Sequence, residues 1–385
     1  MIEIIALFAL AVWLYLLAAH GRFWLAGERD DRPEPPAPAA WPSVVAVIPA
    51  RDEEASIAQT VQSLLRQDYP GFAIVVVDDG STDGTADAAI DAADAIDARE
   101  RLNVLRGQPL PPGWTGKVWA QKQGVAEALG KSPRYLLLTD ADIVYAPGAL
   151  KRIVARAENG RYALTSVMVK LRCESLAERA FIPAFVFFFQ MLYPFAWVNR
   201  AEHATAAAAG GCMLVRGDVL EESGGIDGIR NALIDDCALA RQIKAEGPIW
   251  LGLSENVRSI RAYNDFAPIR RMVTRSAYAE LRYSPVRLFG ATLGMALTFL
   301  AGPLLAIFAS GTAALLGAAA WLMMAIAFQP TLRLYRLNPL WGFALPLIAL
   351  AYMVWTIESA WQYARGQGGQ WKGRMQAAAP PRGAR

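Results

Sequence analysis

The sequence predicts an α/β protein: a mostly parallel sheet with helices on both faces, plus transmembrane helices at the N- and C-termini. Three observations support this prediction. In the middle of the chain, short apolar runs alternate with stretches of helical spacing, as in strand–helix–strand units. Several of these runs end directly in acidic residues. Long uncharged segments flank this middle part, and their lengths suit membrane spans.

The composition excludes several classes of protein. Of the 385 residues, 54% are hydrophobic and 19% are charged, so the chain is more apolar than an ordinary soluble domain. The formal net charge is only +3, which argues against a nucleic-acid-binding protein. The three Cys lack paired spacing and there are only two His. Neither a disulfide scaffold nor a histidine-based zinc centre is therefore expected.

The first membrane helix is predicted at residues 1–21. Its run Ile4–Ala19 is wholly apolar and no basic residue precedes it, whereas a signal peptide would begin with a basic region. The segment is therefore predicted to be a retained span. A Pro-rich linker is predicted at residues 22–42, and we expect it to be stiff.

The next domain is predicted at residues 43–287. Strands are predicted where aliphatic residues run together, and helices where apolar residues recur every three or four positions, as at Ile57, Val61 and Leu64. The predicted strands are 44–50, 73–80, 102–105 and 135–142, and the predicted helices are 54–67, 82–95, 118–129 and 147–157. Because ligands bind at the carboxyl ends of parallel strands, the polar residues at three of these ends are expected to share one crevice.

The run at residues 180–199 is uncharged for 20 residues, which by length alone permits a span. A single crossing here would separate the acidic motifs near residues 140 and 236 by a membrane. We therefore predict a helix lying in the membrane interface, with a buried core helix as the alternative.

Residues 288–358 are predicted to form about three transmembrane helices. No charge occurs from Leu288 to Leu332, which suits two spans, and residues 337–357 form a further uncharged stretch. Arginines beside the spans place residues 22–287 in the cytoplasm. The basic tail, residues 359–385, should also lie inside, yet four spans would place it outside. Either one late segment is re-entrant or interfacial, or the first is not a full span.

The motif DDGSTDGT follows the second predicted strand and opens a helix. These residue types are also usual in turns and helix caps, so a purely structural role stays open. As a functional motif, Asp78 and Asp79 can accept hydrogen bonds from a base N–H or a ribose hydroxyl. The sequence lacks GxGxxG and GxxxxGK[ST] motifs, which argues against a dinucleotide fold or a P-loop.

Two further acidic motifs carry candidate chemistry. Asp140 and Asp142 follow the fourth predicted strand and can share one divalent ion that also binds phosphate oxygens; an acidic turn is the alternative. Asp235 and Asp236 stand in the first turn of a predicted helix. Acids there complement the helix dipole, or one of them can act as a general base toward a hydroxyl.

Two basic residues are weaker candidates. Lys117 precedes a predicted helix. Its ammonium group either binds a phosphate group or is exposed to solvent. Arg275 lies in a basic stretch before the second span, where membrane anchoring by positive residues is the alternative.

The ordered motifs PARDEE, DDGSTD, TDAD, the two Gly-Gly pairs and DDCALAR, with flanking spans, resemble family 2 inverting glycosyltransferases of the GT-A fold. The resemblance covers roughly residues 43–280. The arrangement of spans is similar to that of ceramide glucosyltransferases. The segments GWTGKVWAQKQG, FVFFFQMLYP and AYAELRYSP resemble still more closely the hopanoid-biosynthesis-associated glycosyltransferases of bacteria.

The resemblance implies a role for each matching residue. The residues implied to line the nucleoside pocket are Pro49, Arg51, Glu53, Asp78 and Asp79. Asp140 and Asp142 would hold Mg²⁺ or Mn²⁺ against the donor diphosphate, and Lys117 would lie near the donor. Asp236 would be the catalytic base, with Asp235 as its neighbour.

One motif departs from the pattern of the relatives, which often carry QxxRW before the C-terminal spans. Here Met272-x-x-Arg275-Ser276 keeps the Arg but lacks the Gln and the Trp. Arg275 is therefore only a candidate contact for the diphosphate or the acceptor, and the processive-synthase interpretation is weakened.

The resemblance implies a membrane-bound enzyme that moves a sugar from a nucleotide-sugar donor, expected to be a UDP-sugar, to the hydroxyl of a membrane lipid. The lipid is expected to be a hopanoid. The expected location is the bacterial inner membrane, with the catalytic domain in the cytoplasm. A processive polysaccharide synthase and a non-catalytic membrane scaffold with a sugar-nucleotide fold are the alternatives.

Overall fold

The computed structural model of the chain describes residues 1–371 and 374–375. The strands are β1 Val44–Ala50, β2 Phe72–Asp78, β3 Leu102–Arg106, β4 Tyr135–Thr139, β5 Ile143–Tyr145, β6 Leu164–Lys170, β7 Cys212–Arg216, β8 Ile249–Ser259, β9 Gln370–Trp371 and β10 Arg374–Met375. The α-helices are α1 Ile2–Ala18, α2 Glu54–Leu65, α3 Thr85–Asp94, α4 Gly116–Leu129, α5 Ala149–Gly160, α6 Leu176–Leu192, α7 Phe195–Val198, α8 Gly217–Glu222, α9 Asp235–Lys244, α10 Phe266–Glu280, α11 Pro285–Met295, α12 Ala301–Phe308, α13 Gly311–Leu334 and α14 Trp341–Ala364. Part of the predicted basic tail, at 372–373 and 376–385, lies outside the described residues.

Eight strands form one sheet in the order β3-β2-β1-β4-β7-β6-β8-β5. The first four strands are parallel to one another. β7 runs antiparallel to both β4 and β6, β6 and β8 are parallel, and β5 closes the edge antiparallel to β8. Alternate residues of β1 point into two apolar clusters: Val45 and Val47 into one, Ala46 and Ile48 into the other. The sheet is thus buried on both faces, as its continuous apolar strands require.

The first half of the domain follows the predicted order of strands and helices. Strands β1 to β4 and helices α2 to α5 begin within about three residues of the predicted positions, which is the usual uncertainty of such boundaries. The sequence interpretation did not anticipate β5 to β8. β8 contains Ser254, Glu255 and Asn256 in mid-strand, so its hydrophobic pattern is interrupted.

Helix α6 occupies most of the uncharged run at 180–199. It joins β6 to β7, and these two strands are hydrogen-bonded neighbours, with Leu164 paired to Val215. Both ends of α6 therefore return to the same sheet. Its N-terminus is fixed by a capping box between Ser175 and Glu178, and its aromatic residues pack against helices that follow the domain, for example Phe187 against Phe328 at 5.2 Å between ring centroids.

Four apolar helical segments are long enough to cross a membrane, namely 176–198, 285–308, 311–334 and 341–364. α1 is shorter, at 17 residues, or about 26 Å. It is tied to the later helices by Trp13, whose indole N–H donates to the carbonyl of Thr298 at 2.7 Å. α12 and α13 form a tight hairpin in which Gly302 and Gly317 face each other: a Cβ on Gly317 would lie 2.7 Å from the Gly302 carbonyl. Small residues allow such close backbone approach between helices in lipid.

The last long helix, α14, stays in contact with the sheet domain. Near its middle, the Tyr352 hydroxyl donates to the carbonyl of Phe181 on α6 at 2.9 Å. Near its end, the Ser359 hydroxyl donates to the carbonyl of Thr274 on α10 at 2.5 Å. Tyr363 stacks on Tyr283, just before α11, at 4.3 Å. The second half of α14 therefore runs along the domain.

Candidate active site

The carboxyl ends of β1, β2 and β4 meet at one edge of the sheet, as predicted. The guanidinium of Arg51, just after β1, donates to the backbone carbonyls of Asp79 and Gly80, which follow β2. Asp140 and Asp142 follow β4 in the adjacent loop. The N-terminus of α9 supplies two further acids, so side chains from four elements surround one crevice.

The first group in this crevice is an acid–lysine cluster, made of Lys117, Asp140, Asp235 and Asp236. The ammonium of Lys117, at the start of α4, lies 2.8 Å from Asp140 Oδ1 and 3.3 Å from Asp235 Oδ2. The Lys117 side chain is only 17% exposed. One buried cation thus neutralises carboxylates from two separate motifs, which were predicted independently in the sequence.

Backbone N–H groups hold Asp236 in place. Gly210 N–H donates to Asp236 Oδ2 at 2.9 Å, and the N–H of Cys237 donates to Oδ1 at 2.7 Å. A Cβ at Gly210 would lie 3.3 Å from both Asp236 Oδ2 and Lys117 Nζ, which is a tight contact. The Gly-Gly pair therefore permits close backbone approach to the acids, whereas Gly224 and Gly225 form a turn at positive φ.

The buried setting shifts the protonation of the cluster. Burial, together with the neighbouring carboxylate of Asp235, raises the pKa of Asp236 to about 6, although Lys117 and the two N–H donors oppose the shift. Burial also raises the pKa of Asp140, against the attraction of Lys117. Nearby carboxylates outweigh burial for Lys117 and raise its pKa, so its amine stays charged. An acid with a pKa near neutrality is suited to proton transfer.

A second group links Asp142 to the loop between β1 and α2, which contains Glu53. Arg261, two residues after β8, donates to Asp142 Oδ2 at 3.0 Å and to Glu53 Oε1 at 2.8 Å. Ser259 also donates to Asp142 Oδ2, at 2.8 Å, and Ser56 donates to Glu53 Oε2 at 3.1 Å. Asp140 and Asp142 therefore have different cationic partners, although they share one loop.

The remaining predicted residues are spread around this crevice. Asp79 is 2% exposed, whereas Asp78 Oδ1 accepts from the N–H of Ser81 at 2.9 Å and so stabilises the turn. Pro49 is buried within β1. Arg275 lies on α10, is exposed, and forms no ion pair with any acid in the part of the chain that the structure describes.

Arg261 is the site residue that the sequence interpretation missed. The sequence did contain an indication of its position. Arg261 follows the strand that begins with the apolar run at 249–253, just as several other site residues follow strands. The polar residues in the middle of β8 hid that strand, and the residue therefore had no predicted position in the sheet.

Comparisons with known proteins bear on the family and the fold. Residues 45–224 match the family described as Glycosyl transferase family 2. Among curated proteins no match was found. Among solved structures, the chain is similar to the mannosyltransferase PcManGT from Pyrobaculum calidifontis in complex with GDP-Man and Mn²⁺, at 18% identity and a TM-score of 0.57, over 94% of this chain and 99% of that one.

Two further structures are similar at lower scores. TarS 1–349 from S. aureus in complex with UDP-GlcNAc has 14% identity and a TM-score of 0.40, over 88% of this chain and 97% of that one. Glucosyl-3-phosphoglycerate synthase from Mycobacterium tuberculosis in complex with Mn²⁺, UDP and glucosyl-3-phosphoglycerate has 15% identity and a TM-score of 0.40, over 63% and 79%.

These comparisons confirm the predicted fold class. Residues 45–224 match the glycosyltransferase family 2 model, and the chain has the GT-A fold. The family match ends at residue 224, before Asp235 and Asp236, so the roles of these two acids rest on their position in the crevice.

Proposed function

We propose that this chain is a membrane-bound inverting glycosyltransferase that moves a sugar from a nucleotide-sugar donor to a hydroxyl group of a membrane lipid. The observation that carries the proposal is the buried acid–lysine cluster at the carboxyl edge of the sheet, within and beside a family 2 domain. A UDP-sugar is the donor that the sequence resemblance favours. GDP-sugars also belong in the test, since the similar mannosyltransferase structure contains GDP-Man.

The residues proposed to bind the donor lie on the rim formed by β1 and β2. Pro49, Arg51, Glu53 and the pair Asp78-Asp79 would line the nucleoside pocket. Arg51 and Glu53 are already fixed, Arg51 by the carbonyls after β2 and Glu53 by Arg261 and Ser56. A rim held in place before binding costs less ordering when the nucleotide arrives.

We propose that carboxylates of the crevice bind a divalent cation together with the donor phosphates, since no group of three or more His, Cys, Asp or Glu side chains in the described part of the chain forms a metal site by itself. Asp140, Asp235 and Asp236 face a single cation, Lys117, which leaves a surplus of negative charge. Oxygen ligands of this kind suit Mg²⁺ or Mn²⁺. Asp140, with its side chain 35% exposed, would hold the ion, with Asp142 as its neighbour. The ion would supply positive charge to the leaving diphosphate.

The proposed chemistry is a single displacement in which Asp236 acts as the general base. Its carboxylate accepts the proton of the acceptor hydroxyl while that oxygen attacks the anomeric carbon. The bond from the anomeric carbon to the diphosphate oxygen breaks, and the configuration inverts. Lys117 keeps Asp235 and Asp140 in place beside the reacting groups and offers its ammonium to phosphate oxygens.

The pH dependence of the reaction rate should report the pKa of Asp236. We expect kcat/KM for the donor to fall about tenfold per pH unit below about pH 6, because protonation removes the base form of Asp236, whose pKa is raised to about 6. Initial rates between pH 5 and 8 would check this. In the variant Asp235→Asn, the fall in kcat/KM should begin at a lower pH, because the neighbouring negative charge that raises the pKa of Asp236 is absent. A profile flat down to pH 5 would contradict the assignment.

The acceptor is proposed to be a lipid because α6 and α10, two helices of the domain, pack against the C-terminal apolar helix α14. The Tyr193 hydroxyl at the end of α6 donates to Glu280 at the end of α10. Cys237, the residue after Asp236, lies close enough to Glu280 that burial, together with this carboxylate, raises the pKa of the Cys237 thiol. We therefore propose that the lipid hydroxyl approaches Asp236 past the ends of α6 and α10, and a hopanoid is the acceptor class that the resemblance favours.

We further propose that the domain faces the cytoplasm of a bacterium and that α14 does not cross the membrane. α14 contacts α6 at its middle and α10 near its end, and both of those helices belong to the domain. Three crossings, by α1, by the segment 285–308 and by α13, then place the basic tail inside, as the positive-inside rule requires.

This topology predicts the behaviour of reporter fusions in a bacterial host. A fluorescent protein joined after Arg385 should fluoresce, and an alkaline phosphatase joined there should be inactive, because phosphatase folds only outside the cytoplasm. The control is a fusion between α12 and α13, after Ser310, where phosphatase should be active. Phosphatase activity at the C-terminus would show that α14 crosses.

The activity itself is tested by nucleotide release from the full-length protein in nanodiscs. A panel of UDP- and GDP-sugars with Mg²⁺ or Mn²⁺ is supplied with and without bacterial lipid extracts, from a hopanoid-containing source and from a hopanoid-free one. We expect release to depend on metal, to rise with lipid and to be lost with chelator and in Asp140→Asn. Release that no lipid increases, together with a polymeric product, would favour the polysaccharide synthase. Absence of donor binding by calorimetry would favour the non-catalytic scaffold.

A further inference from the structure

A cavity of about 520 Å³ lies where α1 ends and where α6 meets α7. It is separate from the acid–lysine cluster. Lys244, at the C-terminal end of α9, donates to the carbonyls of Val198 and Thr205 beside the cavity, whereas Asp235 and Asp236 stand at the other end of that helix. Ten residues of helix separate the two places, or about 15 Å. The catalytic proposal therefore does not account for this cavity.

The walls of the cavity are fixed by specific contacts. Gly21, at φ +61°, lies against α7 so closely that a Cβ there would meet Pro194 Cβ at 2.5 Å. The adjacent His20 ring is within 2.8 Å of the Met191 carbonyl through Nε2, and its ring packs edge-on against Trp197 at 4.8 Å. The end of α1 is thus locked to the junction of α6 and α7, and the cavity is not a gap between loosely placed segments.

The cavity carries an excess of positive charge at its mouth. Arg22 and Arg200 both line it and are exposed, and neither forms an ion pair with an acid among the residues that the structure describes. One carboxylate, Glu28, also lines the cavity. Its Oε2 accepts from the amide of Asn199 at 3.0 Å, and that same amide accepts from the N–H of Leu251 in β8. Glu28 is therefore hydrogen-bonded to Asn199 beside the sheet and does not pair with Arg22 or Arg200. Both guanidinium groups can then bind an anion.

The surroundings of the mouth are apolar. Tyr15 on α1, Leu25 and Leu192 at the end of α6 are 53%, 45% and 57% exposed. Trp197 lies in the lining, a residue type that favours the level of lipid headgroups. Deeper in the cavity, the Gln190 side chain is 2% exposed and makes only a 3.4 Å contact to the carbonyl of Val186. An occupant with an anionic, hydrogen-bonding head and apolar chains matches all of these features.

We propose that this cavity binds the headgroup of an anionic phospholipid, as a lipid distinct from the sugar acceptor. The phosphate would lie between Arg22 and Arg200, with Gln190 offering its amide and the acyl chains lying along α1. Basic residues at a membrane surface attract anionic lipid in this way. The inference rests on the membrane location of α1 but not on the proposed transfer reaction, since its test reads binding alone.

The experiment is native mass spectrometry of the full-length protein released from nanodiscs that contain equal amounts of phosphatidylglycerol and phosphatidylcholine. We expect one phosphatidylglycerol to remain bound to the wild type in preference to phosphatidylcholine. The double variant Arg22→Gln/Arg200→Gln should lose this retention by at least about tenfold, since each arginine is worth roughly 1 kcal/mol at the surface. Arg22→Lys/Arg200→Lys, which keeps both charges, should retain most of it.

The control variant is Arg271→Gln/Arg287→Gln, which removes two exposed arginines near the membrane but outside the cavity. It should retain the lipid as the wild type does. Equal retention of both lipids by the wild type, or an equal loss in the control variant, would overturn the proposal. Displacement of the lipid by millimolar inorganic phosphate would identify a free-phosphate site and would overturn it too. Size-exclusion profiles establish that each variant is folded.

Discussion

Replacing Asp236 with Asn is expected to lower the rate of sugar transfer by a factor of about 10²–10⁴, the usual contribution of a general base, while donor binding is nearly unchanged. The Asn side chain has the same shape but cannot accept the acceptor's proton. It can still accept a hydrogen bond from Gly210, one of the two N–H donors that hold Asp236. Single-turnover transfer and calorimetric donor binding, on the same sample, would measure the two effects.

The matched control is Asp87→Asn. Asp87 is also an acid in the first turn of a helix, α3, and it is exposed. If the acids at the start of α9 served only the helix dipole, the two variants would behave alike. Transfer by Asp236→Asn at a rate close to that of Asp87→Asn would remove Asp236 from the role of base.

The second large effect is expected for Arg261→Met. This change leaves Glu53 and Asp142, with side chains 12% and 9% exposed, without their shared cation. Breaking a buried ion pair on one side costs several kcal/mol, and partial exposure of Arg261 reduces that to about 2–3 kcal/mol. For a domain of this size, this corresponds to a fall in Tm of roughly 5–10 °C. Donor affinity should fall as well, because both carboxylates border the donor crevice.

The loss of stability should be specific to the ion pairs of Arg261 with Glu53 and Asp142. The control is Arg258→Met, on the same strand but exposed and outside any ion pair in the described part of the chain. An equal fall in Tm for both variants would rule out this electrostatic account.

The first four strands, β1 to β4, were predictable from the sequence because the middle strands of this group are buried on both faces. Such strands are continuous aliphatic runs, as at Val44–Ala50, and each ends in polar residues where the sheet edge begins. From this pattern, Arg51, Asp79 and Asp140 could be predicted to lie at one edge of the sheet. The Gly-Gly pair at 210 also carried a signal, although only the structure shows that it approaches Asp236.

The pairing of charges was not predictable, because it depends on contacts between distant segments. Lys117 and Asp235 are separated by more than a hundred positions in the sequence, and the ion pair between them follows from the packing of α4 and α9 against the same short helix, Ile226–Ile229. Asp140 and Asp142 form a plausible two-carboxylate motif in sequence. In the structure they belong to different ion pairs, because Arg261 arrives from the far strand β8.

The position of α6 has a consequence for how the chain matures in the cell. β7 cannot join β4 and β6 until α6 has been made, and α6 buries its aromatic face only when the later helices α13 and α14 are present. The first half of the sheet can therefore form early during synthesis, whereas the second half must wait until the C-terminal helices have been made. A fragment ending at residue 287 would expose Phe187 and Phe188 to water and is expected to aggregate. The sheet domain and the C-terminal apolar helices are thus a single folding unit.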